Sequence, residues 1–328
     1  MKQSQLAACI AGHAPRPVTA VRPLVELLQA RYGANLRAVL LYGSCLHSGD
    51  LEGLFDLYAV VDSYEAAHRT RLAAWLNALL PPNVYYLEAE FGPNGGGAQK
   101  MRAKYALLSL KDLKKGVSRR WFHSYLWARF CQPAALVWAR DRATAQEIYA
   151  AFATAVSTFI SRILPLLPAR WSTQELWQEG LSWTYRAEFR PERPERQAQL
   201  FKVSAAYYRA ITPLALAGME GVAPLAETAG TAETRKDRGY PEYQAEIASS
   251  RRRLARLAWQ LRIVEGKLLS LLRLMKGAST FQGGVDYIVW KIERHSGVHM
   301  EVGPFLRRHP LLALCALSVR LYLKGGVR

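Results

Sequence analysis

The chain has 328 residues, half of them hydrophobic and 21% charged, with no long low-complexity tract. That composition excludes a disordered protein and leaves enough chain for two or three cores. A formal charge of +18 and a pI near 9.9 call for an anionic partner: nucleic acid, nucleotide or an acidic membrane surface.

Lys and Arg outnumber Asp and Glu by 18 to 11 over residues 1–150, match them 11 to 11 over 151–250, and exceed them 15 to 4 over 251–328. The excess is therefore concentrated at the C-terminal end. Cys9, Cys45, Cys131 and Cys315 stand far apart without ligand spacing, so neither a zinc site nor a disulfide framework is expected. The run Leu311 to Val319 is about half the roughly 20 residues of a membrane-spanning helix, and the N-terminus lacks a secretory apolar region. No transmembrane segment is expected.

In chain order, residues 21–33 have helical periodicity ending at Gly33, and 36–43 and 55–62 read as buried strands. Ser63 is the predicted N-cap of a helix running to residue 80. Residues 83–91 form a third predicted strand, 92–97 a Gly-rich loop, and 104–116 a strand leading into a short helix. From 143 to 199 the pattern is mainly helical, interrupted at Pro165 and Pro168, and 218–243 reads as a loop. Leu254, Leu257, Leu261, Val264, Leu268, Leu271 and Met275 then recur at spacings of three and four, the seam of an amphipathic helix. The expected division is 1–140, 141–250 and 251–328.

The stretch from Leu41 to Asp62, LYGSCLHSGDLEGLFDLYAVVD, carries the chemistry. One reading is a plain β-hairpin with a solvated Asp. The other is a Gly-Ser turn at Gly43 and Ser44, whose N–H groups and hydroxyl cradle a triphosphate, with Asp56 on the adjacent strand holding Mg²⁺. Nucleotidyltransferases of the polymerase-β type pair a hydrophobic-Gly-Ser turn with Asp-x-Asp about ten residues on. Here eleven residues separate Ser44 from Asp56, and Tyr58 stands where the second acid belongs. Asp50 and Glu52 form a rival acidic pair, too close to Ser44 to reach the facing strand.

Further blocks follow in a telling order: His68, VYY at 84–86, KYALLSLKDL at 104–113, ARFCQPAALV at 128–137, TYRAEFRPERPER at 184–196 and KGASTFQGGVDYIVWKI at 276–292. Taken with the Tyr42-Gly43-Ser44 turn, they give a chain that resembles the mitochondrial-type phosphatidate cytidylyltransferases, the translocator assembly and maintenance family, over nearly its whole length. It departs from that pattern at Cys45, where a Gly is usual, at Leu87 and Glu88, where Asn-Pro is common, and from Val302 onward. The resemblance implies an α+β protein, with a polymerase-β-type nucleotidyltransferase domain followed by a helical domain and a basic amphipathic C-terminal region. It also implies Mg²⁺-dependent transfer of CMP from CTP to phosphatidic acid, giving CDP-diacylglycerol and pyrophosphate, and it accommodates Tyr58, because members often lack the second acid.

On this reading Tyr42, Gly43 and Ser44 hold the nucleotide, Asp56 binds metal, and Lys104 offsets charge at the phosphates. Glu88 and Glu90, two apart on a strand and so on one face, are candidates for the missing metal carboxylate or else an exposed strand face. Glu188 and Arg190 match an acidic-x-Arg element facing the nucleotide, or form a surface ion pair. Lys276, Ser279 and Thr280 are candidates for the lipid phosphate, or cap a helix. His68 reads as structural.

The expected partners are CTP, phosphatidic acid and an anionic membrane surface, with no stable nucleic-acid partner. The expected location is the cytoplasm or mitochondrial matrix, peripherally on the inner membrane face. The competing readings are a nucleotidyltransferase acting on RNA, protein or a small molecule, and a non-catalytic nucleic-acid binder. Lipid attachment is expected either from Pro304 to Arg328 or from the helix carrying the Leu254–Met275 seam. For that helix the alternative is that the seam packs on the core and leaves only the basic face free.

Overall fold

The computed structural model describes residues 2–15, 19–43, 46, 54–91, 99–188, 199, 201–217, 219–225, 241–280 and 303–305. The architecture is α+β, built on a mixed five-stranded sheet with helices on both faces. Its strands are β1 (Leu36–Tyr42), β2 (Leu54–Val61), β3 (Asn83–Phe91), β4 (Gln99–Ser109) and β5 (Ala135–Ala139), in the order β3-β4-β2-β1-β5. β2 and β4 run parallel, and the other neighbours are antiparallel. The central strands read as continuous apolar runs because both faces are covered.

Residues alternate between two cores. Val39, Leu41, Phe55, Leu57, Ala59, Ala103 and Tyr105 face α2 (Arg22–Tyr32) and the short helices α3 (Tyr64–Ala67) and α4 (Arg71–Leu79). Ala38, Leu40, Tyr58, Val60, Ala106 and Leu108 face the opposite way, into a core continuous with the helical layer. That layer contains α1 (Lys2–His13), α5 (Leu110–Val117), α6 (Trp127–Phe130) and α7 (Arg142–Ile163). α7, continued through Leu166, is long and apolar enough to cross a bilayer, but 67% of its most apolar 18-residue stretch is buried in the protein. It serves as the core helix. A second sheet follows, of β6 (Arg170–Ser172), β7 (Val222–Pro224) and β8 (Glu242–Ala245) in the order β6-β8-β7, with α8 (Thr173–Arg186) and α9 (Ala205–Leu216) between β6 and β7.

Three expectations change. The helix predicted from Ser63 is two helices, because Thr70 caps a second start: Ser63 Oγ accepts from Ala66 N–H and Thr70 Oγ1 from Ala73 N–H. β7 and the start of β8 lie within the stretch 218–243 read as a loop, since strands of three and four residues are too short to show a period of two. The seam of the last helix, α10 (Ser249–Thr280), does not pack on the core. Leu254, Leu257, Leu261, Val264 and Leu268 are 56–68% exposed, whereas Trp259 and Arg262 are buried.

α10 rises about 48 Å along its axis and is held to the body of the protein by its polar side. Trp259 Nε1 donates to Arg162 O (3.1 Å), Arg262 Nε to Phe122 O (2.7 Å) and Arg273 Nε to Pro81 O (3.1 Å). Arg252 also donates to Leu167 O, and Lys276 to Leu80 O. The closest backbone approach is at Gly266, where an added Cβ would lie 2.3 Å from Ala187 O. A backbone oxygen has no rotamer by which to withdraw. Gly266→Ala should therefore destabilise the protein by about 1–3 kcal/mol, read as a fall of several degrees in Tm. An unchanged Tm would mean that α10 is not seated against Ala187.

Candidate active site

The sheet register places four side chains in one transverse row on the face shared with the helical layer. Tyr42 of β1 pairs with Asp56 of β2, Asp56 with Lys104 of β4, and Lys104 with Tyr86 of β3. Asp56 and Lys104 become neighbours because β2 and β4 are parallel and in register. Lys104 Nζ lies 2.7 Å from Asp56 Oδ1, both side chains being 20% exposed.

Gly43, at φ +88°, turns the chain out of β1 in a conformation that L side chains avoid. A Cβ there would sit 2.8 Å from Asp56 Oδ2. The Asp56 carboxylate is thus held between a glycine backbone and an ammonium group, and Leu46 N–H donates back to Gly43 O (3.2 Å). The hairpin with a freely solvated Asp does not describe this arrangement. Ser44, Asp50, Glu52 and Arg190 lie outside the described residues, as does the side chain of Glu90.

Tyr58, two residues beyond Asp56 on the same face, is fully buried. Its hydroxyl accepts from Arg129 Nη1 at 2.9 Å. The Arg129 guanidinium also lies 5.0 Å from the Tyr42 ring centre and 4.4 Å from that of Tyr125, and 3.7 Å from the Glu188 carboxylate. The position that would carry a second metal carboxylate in an Asp-x-Asp pair therefore anchors a cation.

Glu188, just past the end of α8, lies against Arg129 in this cluster. Arg273 of α10 adds a second guanidinium, 4.2 Å from the Tyr125 ring. Burial alone would raise the Tyr125 phenol, but Arg129 and Arg273 outweigh it and hold its pKa below the ordinary value. Arg129, Tyr125 and Arg273 give no isolated signal in sequence; Arg129 falls in the quoted block 128–137, and Arg273 reads only as one of the basic residues of a helix.

Glu88 shares the face of Asp56, one pleat away, where it accepts from Tyr86 Oη (2.5 Å) and from Arg102 Nε (3.2 Å). Lys276 is turned toward Leu80 O, and burial, then Arg273, lowers its pKa to about 8. Ser279 and Thr280 occupy the last turn of α10, with side chains outside the described set. His68 pairs with Asn77 Oδ1 at 3.2 Å, which itself bonds to Leu107 O; this is a structural role.

Among the described residues no three His, Cys, Asp or Glu side chains converge as a ready metal cage. Mg²⁺ is commonly held by one or two carboxylates together with substrate phosphates. Asp56, a hard oxygen donor held against a Gly turn, fits an ion of that kind arriving with a nucleotide.

His123 reports on the electrostatics. It is 3% exposed and its Nε2 accepts from Arg273 Nη1 (2.9 Å), so the ring is neutral. Burial, then the charges of Arg273, Arg262 and Arg129, lower its pKa from 6.5 to about 3. Between these values the unfolded chain binds the extra proton. The stability is therefore complete above pH 6.5 and declines as pH falls toward 3, by up to about 1.4 kcal/mol per pH unit. His123→Gln removes this titration. The stability difference between wild type and variant, from urea unfolding at stepped pH, should be constant above 6.5 and shift by a few kcal/mol against the wild type below it. A difference independent of pH would show that His123 is not held neutral.

No protein-family model and no curated protein sequence matches this chain.

Proposed function

We propose that the protein is a CTP:phosphatidate cytidylyltransferase of the polymerase-β nucleotidyltransferase type. The observation that carries this reading is the Asp56 carboxylate, pressed against the Gly43 turn and paired at 2.7 Å with Lys104, beside the cations Arg129 and Arg273. A phosphate-rich ligand entering at this turn meets one metal-competent carboxylate and several positive charges.

In the proposed reaction a phosphatidate oxygen forms a bond to the α-phosphorus of CTP. The bond from that phosphorus to the α,β-bridging oxygen breaks, and pyrophosphate leaves with the electron pair. The attacking oxygen is already ionised at neutral pH, so no strong general base is needed; this fits a site with one acid and a buried tyrosine at residue 58. Gly43 and Ser44 hold the β- and γ-phosphates, Lys104 offsets charge at the transferring phosphorus, and Arg129 is positioned by Tyr58 and Glu188 to neutralise a further phosphate. Mg²⁺ held by Asp56 and the nucleotide would supply Lewis-acid stabilisation of the phosphoryl oxygens.

The nucleic-acid-binding alternative has less support. α8 and α9 are the helices that a helix-turn-helix reader would use, with the second in the groove; a helical turn at 201–203, with the exposed Lys202, lies between them. α9, AAYYRAITPLAL, carries Arg209 as its one cation, and Tyr207, Tyr208, Ile211, Thr212, Ala215 and Leu216 are buried. Lys2 of α1 further ties down its end at Ala217 O (2.7 Å).

The deciding measurement is pyrophosphate release from CTP, with Mg²⁺, in the presence and absence of phosphatidate. Release that requires phosphatidate and yields CDP-diacylglycerol is expected; release without it, or only with RNA, selects another transferase. Asp56→Asn should lower turnover by about a hundredfold or more and lower stability by about 1–3 kcal/mol, because it removes the carboxylate that pairs with the largely buried Lys104 ammonium; turnover is therefore compared at a temperature well below the variant's Tm. Retained turnover would remove Asp56 from the site. Because Lys104 occupies the carboxylate in the free protein, Mg²⁺ titrated calorimetrically should bind measurably only with CTP present; strong binding without nucleotide would contradict the Lys104–Asp56 pairing.

A further inference from the structure

Alternate residues of a strand share a face, and on the face that carries Asp56 the sheet register sets them in two successive rows. The first row runs Tyr42, Asp56, Lys104, Tyr86 from β1 across to β3. The second, one pleat further along, pairs Arg102 of β4 with Glu88 of β3. Two strand spacings and one pleat put Glu88 about 12 Å from Asp56, backbone to backbone. Lys104 and Arg102, on the strand between, separate the two carboxylates and set Glu88 apart from the Asp56 end of the site.

The second row has a chemistry of its own, a carboxylate and a guanidinium side by side. Arg102 Nε donates to Glu88 Oε1 at 3.2 Å, and Tyr86 Oη donates to the same oxygen at 2.5 Å. Burial, then the hydrogen bond to Glu88, push the pKa of the Tyr86 phenol up, so it remains a donor. Both contacts fall on Oε1, which makes Oε2 the oxygen on which a further donor settles, and the guanidinium carries more N–H donors than its bond to Glu88 uses. The pair is held in place yet reachable: the Glu88 side chain is 41% exposed and that of Arg102 29%.

An acceptor beside a fork of N–H donors is the complement of one pyrimidine edge. Cytosine presents N4–H, then N3 and O2, a donor followed by two acceptors, whereas uracil presents O4 as an acceptor and N3–H as a donor. A carboxylate is the usual partner of cytosine N4 in base recognition. We infer that Glu88 and Arg102 read the base of the bound nucleotide, Glu88 accepting from cytosine N4–H and Arg102 donating to N3 and O2, and so select cytidine over uridine nucleotides. The inference rests on the proposed reaction for the presence and direction of the nucleotide. With the β- and γ-phosphates at Gly43 and the α-phosphate at Asp56 and Lys104, the nucleoside continues across the sheet toward β3, where the Glu88–Arg102 pair stands one ribose further on. Uracil in that position sets O4 against a carboxylate and N3–H against a guanidinium, and mismatched buried polar groups discriminate far more strongly than a difference in shape.

Binding of CTP and of UTP is measured calorimetrically with Mg²⁺ and without phosphatidate, and kcat/KM for each nucleotide is then measured with phosphatidate present. The wild type should prefer CTP by about a hundredfold or more. Glu88→Gln replaces a pure acceptor by an amide that accepts from N4–H in one orientation and donates to O4 in the other. It should weaken CTP, strengthen UTP and lower the preference by about tenfold or more, with the change in Kd and KM rather than in kcat, because the base lies away from the reacting phosphorus. Arg102→Met, which removes the donors and keeps the length, should weaken CTP binding by about tenfold. All comparisons are made well below the Tm of each variant.

A wild type that turns over CTP, with a Glu88→Gln variant that keeps the full preference, makes Glu88 and Arg102 an ion pair across two strands and overturns the inference while the reaction stands. Equal weakening of CTP and UTP by Glu88→Gln, relieved by raising Mg²⁺, makes Glu88 a metal ligand and overturns it as well. Unchanged CTP binding by Arg102→Met overturns the paired reading of the base. A wild type that binds neither nucleotide removes the proposed reaction itself, and the base reading with it.

Discussion

The arrangement of this protein depends on how one long helix is held. α10 is fixed by arginine and lysine hydrogen bonds to backbone carbonyls at Leu167, Phe122, Pro81 and Leu80, none of which is drawn from a strand interior. A charged donor on a carbonyl makes a stronger bond than a neutral one, and the alternative, a buried carbonyl without a partner, is costly. These bonds fix both the position of α10 and its rotation about its own axis. Turning it to bury the leucines would strip the carbonyls of their donors and drive side chains into Ala187, which already lies against Gly266. The same seating presents Glu188, the residue after Ala187, to Arg129. The geometry of the candidate site thus follows from the packing of a helix whose apolar side faces away from it.

The cost of that packing is positive charge inside the protein. Arg129, Arg262 and Arg273 are wholly or largely buried. Aromatic faces absorb part of the cost: Arg262 lies 4.4 Å from the ring centre of Phe122 and 4.6 Å from that of Trp259, and Tyr125 takes two guanidinium groups. Carboxylates absorb less of it. Glu188 serves Arg129 and Asp56 serves Lys104, while Arg262 Nη1 and Nη2 are buried without a hydrogen-bond partner among the described residues. Burial lowers the pKa of Arg262 only to about 10, so it keeps its charge at neutral pH. A region with more buried cations than acids gains by taking up an anion with several oxygens, which is the electrostatic argument for the proposed triphosphate and phosphate monoester.

Much of this is legible in the sequence wherever it depends on local pattern. The apolar runs at 36–43 and 55–62 place β1 and β2 to within a residue or two, Ser63 marks a helix cap, and the spacing from Gly43 to Asp56 puts both at one end of paired strands. What local pattern cannot show is long-range pairing. Lys104 reaches Asp56 only because β4 adds in parallel beside β2, with β3 folded outside it, and no short stretch encodes that order. Periodicity identifies the apolar seam of α10 but not the direction it faces. That direction is set by Gly266 and by carbonyls from distant segments, and a helical wheel is silent about both. Thr70 shows a smaller version of the same limit: its hydroxyl caps a new helix three residues before Ala73, inside a stretch whose apolar periodicity continues without a break.

The tyrosine at 58 ties the site's chemistry to its packing. A carboxylate at this buried position, where the Tyr58 ring now packs 5.0 Å from that of Phe130, would need a cation or a metal to offset desolvation. A phenol fills the same place, packs against Tyr42 and Phe130, and holds Arg129 with its oxygen. Where an acid would bring a second negative charge, the tyrosine fixes a positive one at the same level of the sheet. For a nucleophile that must lose a proton this would be a poor exchange, since it favours holding charge over accepting a proton. For an acceptor that arrives already ionised and must approach a polyphosphate, the dominant barrier is repulsion between anions, and a buried guanidinium held by a phenol and one glutamate lowers that barrier without any proton being moved.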